Sequence, residues 1–267
     1  MRYTNFYPSS GMYHVSLPLL MGTRLDAILF GDDRQHLESV WDSAEADIRR
    51  LEKMLNRFDK KSEVTKLNDD AQFSSVHLSD ELWDILSDCR KYYELTDGCF
   101  DVTLSDFGKV LFLEESRSVG FEKHGMRLDF GGYGKGYALR CVRKHLDEAG
   151  IKRALVSFGN SSVLAVGTHP YGDSWPVGIE DPCNGNVVMT VNLCDTSMSV
   201  SGNSPSNKQH IINKETSELV TENIVVAVVS DDPVDSEVMS TAWIASGKNE
   251  EPGWMTRFNL KNTYKVI

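Results

Sequence analysis

The densest chemical signal lies in Asp129-Phe-Gly-Gly-Tyr-Gly-Lys-Gly-Tyr137. Glycines let backbone approach a phosphate closely, and a helix N-terminus behind them offers unpaired N–H groups. Lys135 adds a compact positive charge. The spacing is neither that of a Walker loop, since no Ser or Thr follows Lys-Gly, nor that of the Rossmann fingerprint. The same turn could serve tight packing alone. Glu237 and Thr241 are four apart on an expected helix, hence on one face. A carboxylate with a hydroxyl suits a hard, oxygen-loving cation such as Mg²⁺, although an acidic helix start would look the same. His210, beside Ile211 and Ile212, is a candidate for chemistry, or else a structural or surface histidine. Arg57, Phe58 and Asp59, with Ser62 and Asn68, form a polar group beyond a long helix, readable as a site or as a C-cap and turn. No Ser-His-Asp order and no G-x-S-x-G elbow is present.

These residues need a scaffold. Leu20 to Leu29 reads as an opening strand. Between His36 and Phe58 the apolar positions Leu37, Val40, Trp41, Ala44, Ile48, Leu51 and Leu55 keep helical spacing. A polar stretch over 59–69 reads as a loop. Ser79, ahead of Asp80 and Glu81, is an expected N-cap for a second helix running to Gly98. From there to Arg127 no element stands out. A helix is expected over 135–149, stopped by Gly150. Strands are expected at 154–158 and 162–166, paired around Gly159-Asn160, and at 187–193 and 198–200. The β-branched run 224–230 reads as a buried strand, and 234–246 as a last helix. Helices and strands in mixed order indicate an α+β fold rather than a doubly wound parallel sheet. No linker interrupts the chain, so one domain over 1–267 is expected.

The composition is that of a globular protein, with a formal net charge of −11. That sign argues against a nucleic-acid partner, which needs a basic face. An anionic ligand must be held locally, by helix N-termini, a few cations or a metal. Cys89, Cys99, Cys141, Cys183 and Cys194 contain no C-x-x-C pair, so zinc spacing is absent and reduced thiols are expected. The apolar run Val15 to Met21 is short and broken by Pro18, which fits neither a signal peptide nor a membrane span. As written, the chain reads as cytoplasmic. Removal of a leader would make it periplasmic or membrane-anchored.

Taken together, the segments resemble the FAD:protein FMN transferases, also called ApbE-like proteins. Met21-Gly22-Thr23 is similar to the opening M-G-T of that family. NRFDKKSEVTKLN, at 56–68, resembles the loop after the first helix. DGCFDVT, at 97–103, resembles D-G-x-F-D-x-T, and LDFGGYGKGYA, at 128–138, the central D-x-G-x-x-x-K-G-Y-A. WPVGIEDP, SVSGN with HIIN, and SEVMSTA follow in the family's order.

The resemblance implies an ApbE-like fold with mixed, largely antiparallel sheets packed with helices. It implies a Mg²⁺-dependent transferase that splits FAD, attaches FMN through a phosphoester to a Thr or Ser of an acceptor protein, and releases AMP. A Mg²⁺-dependent FAD pyrophosphatase and a non-catalytic FAD-binding protein are the alternatives. By position, Met21, Phe58, Asp129 and Lys135 would contact FAD. Gly132 would offer its carbonyl to the metal, with Glu237 and Thr241 completing the protein ligands. His210 would lie near the pyrophosphate as the base. The chain departs from the pattern at Glu237 and Arg140, both usually Asp, and at Lys214-Glu215-Thr216-Ser217, where P-x-T-G is usual.

Overall fold

The computed structural model describes residues 2–103, 106–159, 161–181, 183–203 and 211–266. In chain order the elements are β1 (Tyr3–Tyr7), β2 (Met12–Leu20), β3 (Thr23–Phe30), α1 (Arg34–Leu55), α2 (Glu63–Asp70), β4 (Val76–His77), α3 (Asp80–Leu95), β5 (Val110–Leu113), β6 (Ser118–Phe121) and α4 (Gly134–Glu148). They continue with β7 (Ala154–Phe158), β8 (Ser162–Val166), β9 (Trp175–Glu180), β10 (Val187–Leu193), β11 (Ser197–Asn203), β12 (Ile224–Ser230), α5 (Pro233–Ala245) and β13 (Leu260–Val266).

Among the described residues, eight strands form one sheet in the order β1-β2-β3-β7-β8-β11-β12-β13. Every neighbouring pair in it is antiparallel. This agrees with the α+β expectation. Helices cover one face. Trp41, Ile48 and Leu51 of α1 and Val142 of α4 pack on Leu25, Ala27 and Val156 of the sheet. Val234, Val238 and Met239 of α5 share a core with Val226 and Val228 of β12 and with α3. The β9–β10 ribbon covers the other face, where Trp175, Ile179 and Val191 meet Val163, Val225 and Val229. Strand β12 is therefore apolar on both faces, as its β-branched run implied.

Three expectations need correction. The strand read over 20–29 is broken by a hairpin, with Leu20 paired to Thr23 and Met21 and Gly22 at φ 50° and 79° in the turn. The polar stretch read as a loop contains α2, because the Ser62 hydroxyl caps the helix by accepting from the Thr65 N–H. The stretch before Arg127 holds β5 and β6, which with β4 make a small antiparallel sheet. No helix among the described residues is long and apolar enough to cross a membrane.

Candidate functional site

The Gly-rich turn is held from both ends. Before it, buried Asn68 of α2 clamps Leu128: its Nδ2 donates to the Leu128 carbonyl at 3.0 Å and its Oδ1 accepts the Leu128 N–H at 2.7 Å. Asp129 accepts the Gly131 N–H at 2.9 Å and pairs with Arg57 Nε at 2.7 Å. Behind it, Phe130 and Tyr133 are buried, and the Tyr133 hydroxyl donates to Asp88 at 2.8 Å. Helix α4 then starts at Gly134, with no side chain capping its N-terminus. That end keeps its partial positive charge for a ligand.

Helix α5 supplies the second half. A Cβ built on Gly132 would lie 3.5 Å from Thr241 Oγ1, which places the turn against the helix. Glu237 is 3% exposed. Its Oε2 accepts from Ser199 Oγ at 2.9 Å and Ser162 Oγ at 2.5 Å, while Oε1 pairs with Lys135 Nζ. A carboxylate so deeply buried needs a cation or several donors, and here it has both. Thr241 Oγ1 donates to the Glu237 carbonyl at 3.0 Å and lies 3.1 Å from Ser201 Oγ.

The hydroxyls come from strand periodicity. Ser197, Ser199 and Ser201 alternate along β11 and face α5, where Ser197 meets Ser236 and Ser201 meets Ser240, each at 2.8 Å. Met198 between them belongs to the opposite core.

A cleft of about 780 Å³ opens over these groups. Asp129, Gly132, Lys135, Glu237 and Thr241 line it together. Met21 and Phe58 are not among the lining residues. Met21 lies just behind, its Cε against the start of α4, while its N–H donates to Glu52 Oε1 at 2.7 Å. Phe58 is 79% exposed, with the Arg57 guanidinium 4.3 Å over its ring. His210 lies outside the described residues, although Ile211, Ile212 and Asn213 after it line the cleft.

Sequence reasoning missed Lys123, Lys214 and Asp101 in the lining and the serines behind Glu237. Lys214 Nζ donates to the Asp97 carbonyl at the rim. Burial pushes the Asp101 carboxyl up from its ordinary value, although it accepts from Thr103 Oγ1 at 2.6 Å and from the backbone N–H groups of Thr103 and Phe107. The departures from the family pattern also find their places. Arg140 pairs with Asp232, the N-cap of α5, through Nε at 3.0 Å and Nη2 at 2.7 Å. The turn after Ile212 closes without Pro or Gly, with Asn213 Oδ1 accepting the N–H groups of Glu215 and Thr216 and Ser217 at φ 57°.

Fold and cleft define an α+β protein with a Gly-rich helix start set against a buried glutamate that is paired with a cleft-lining lysine. The sequence model of the ApbE family matches residues 21–117 and 106–264, and the chain belongs to that family. A FAD:protein FMN transferase of Rhodobacter capsulatus is 31% identical over 149 residues, covering 53% of this chain and 28% of that protein's length. A FAD:protein FMN transferase of Escherichia coli (strain K12) is 21% identical over 269 residues, covering 85% of this chain and 76% of the relative. Among solved structures, the ApbE protein of Thermotoga maritima superposes with a TM-score of 0.78 at 20% identity, covering 89% of this chain and 88% of the other. The flavin transferase ApbE of Vibrio cholerae gives 0.76 at 16% identity, with coverages of 88% and 87%.

Proposed function

We propose that this protein binds FAD in the cleft and transfers its FMN moiety to a Thr or Ser hydroxyl of an acceptor protein, releasing AMP. The observation that carries the reading is convergence. Lys135 and Glu237, 102 residues apart in sequence, meet over the uncapped start of α4 in one cleft. The cleft volume falls in the range of about 300–1,000 Å³ typical of small-molecule sites. The names of the relatives support the choice of FAD and of a protein acceptor.

The start of α4 and Lys135 suit the pyrophosphate, because both offer positive charge to oxygens. The donor set also fits a divalent cation. Glu237, Thr241 and the Gly132 carbonyl are hard oxygen donors of the kind Mg²⁺ takes, and Glu237 and Thr241 stand one helical turn apart. When bound, such a cation neutralises charge on the phosphates. The chain's own part is positioning. The acceptor hydroxyl oxygen forms a bond to the FMN phosphorus while the bond to the AMP oxygen breaks. The hydroxyl proton passes to a base, the role assigned to His210. AMP leaves with the electron pair of the broken bond.

The test is a reaction of the purified protein with FAD, Mg²⁺ and a Thr-bearing acceptor peptide, followed by mass spectrometry. A peptide heavier by FMN, with an equal yield of AMP, is expected. FMN and AMP with unmodified peptide would replace the transferase with a pyrophosphatase. Intact FAD, tightly bound, would leave a flavin-binding protein.

A further inference from the structure

The two oxygens of Glu237 have different lives. Oε2 is fixed by two hydroxyls on two strands, Ser162 on β8 and Ser199 on β11, themselves 1% and 2% exposed. The backbone of both donors is held in the sheet, since β8 and β11 pair at Ser162 and Ser199. Among the described residues, the partner of Oε1 is the end of a flexible side chain, the Lys135 ammonium. Lys135 lines the open cleft and its side chain is 20% exposed, against 4% for Glu237. Its ammonium has a second acceptor in the Gly131 carbonyl at 3.4 Å, on the cleft side. One carboxylate oxygen is therefore an anchor and the other is exchangeable.

A buried carboxylate left without a cation is strongly disfavoured. A divalent ion and an ammonium on the same oxygen would repel each other in a site of low dielectric. We propose that Lys135 is the resident counter-ion of Glu237 and yields Oε1 to the divalent cation, turning its ammonium into the cleft toward the anionic ligand. This rests on the cation reading given above. It makes Lys135 a two-station residue. In the cation-free protein it holds the Glu237 carboxylate in place. In the loaded protein it is released to phosphate. Cation and anionic ligand then bind with positive coupling, and the coupling runs through one side chain.

The experiment measures Mn²⁺ binding to the full ligand-free chain by the electron paramagnetic resonance of free Mn²⁺. Removing the competitor in Lys135→Met should tighten Mn²⁺ by about tenfold, and Glu237→Gln should weaken it. Equal or weaker binding in Lys135→Met, with the wild type binding, would overturn the exchange and leave the cation site standing. No Mn²⁺ on either protein would overturn both. A second measurement needs no variant. Acetylation of Lys135 in the wild-type protein, read by peptide mass spectrometry, should rise when Mg²⁺ is added. Labelling that Mg²⁺ leaves unchanged sinks the exchange even if Lys135→Met does not fold. In thermal melts, Mn²⁺ should raise the Tm of Lys135→Met by more than that of wild type. A lysine with a purely structural role gives equal shifts.

Discussion

Gly136 of α4 and Glu237 of α5 meet where the two helices cross: a Cβ on Gly136 would stand 2.8 Å from the Glu237 Cβ and 2.7 Å from the Pro233 carbonyl oxygen. Both obstacles are close to backbone and cannot swing aside. Gly136→Ala should therefore destabilise the protein by about 1–3 kcal/mol, despite Ala's better helix propensity. Gly134→Ala is the control, because there the added Cβ meets the flexible end of Met21 at 3.2 Å and Leu55 Cδ1 at an ordinary contact distance of 3.6 Å. Urea unfolding of the two variants should separate them, and equal midpoints would contradict the crossing as described.

The Arg140–Asp232 pair ties α4 to the N-cap of α5, and Arg140 also reaches Asp88 at 3.4 Å. About a third of both side chains in the first pair is exposed. Arg140→Ala should accordingly cost only about 1–2 kcal/mol. Arg140→Asp should cost about 3 kcal/mol or more, since it adds a carboxylate beside Asp88 and Asp232. Thermal melts check the ranking. A more stable Arg140→Asp protein would show that the local network does not depend on the arginine.

Ser217 carries a left-handed backbone at φ 57°, and its N–H donates to the Asn213 carbonyl at 2.8 Å. A non-glycine residue is strained there by about 1–2 kcal/mol, part of which glycine's extra unfolded-state freedom offsets. Ser217→Gly is expected to raise stability by about 0.5–1 kcal/mol. Denaturant titration measures it, and a lower midpoint in the variant rules out the strain.

Asp47 gives the pH dependence. Burial pushes its carboxyl up, but hydrogen bonds from His145 and Arg50 and their charges outweigh burial, and the net value lies below the ordinary 3.8. A carboxylate with a depressed folded value contributes stability above its unfolded pKa and loses it as pH falls through the folded one. Asp47→Asn should thus be less stable than wild type near neutrality, with the gap closing below pH 3.8. Urea unfolding across that range tests the sign. A gap that widens on acidification contradicts it.

For the chemistry, Glu237→Gln keeps the shape of the side chain and removes its charge. It should raise the Mg²⁺ concentration needed for turnover, and an unchanged Mg²⁺ titration would remove Glu237 from the cation site. His210→Ala should abolish transfer while FAD still binds, as followed by flavin fluorescence. Retained transfer would end the base assignment.

Much of this was legible from spacing. The apolar positions from Leu37 to Leu55 place α1, the β-branched run fixes β12, and Gly159 marks the β7–β8 hairpin, where a Cβ would lie 2.0 Å from Thr23 Oγ1. The β2–β3 turn was hidden because Met21 occupies a left-handed position that usually signals itself with Asn or Gly. Helix α2 was hidden because its residues are mostly polar and its start depends on the Ser62 cap. The turn–helix half of the site was visible in 129–137. The serines behind Glu237 were not, because a serine every second residue looks like any solvated strand until α5 lies across it.

That alternation has a consequence for how the protein can vary. In β11, Ser197, Ser199 and Ser201 furnish hydroxyls to the face toward α5, while Met198 and Val200 furnish bulk to the ribbon-covered interior. Inserting or deleting a single residue ahead of Ser197 would trade the two sets at once. Cleft and interior would be lost together, so β11 can drift by substitution but not by length.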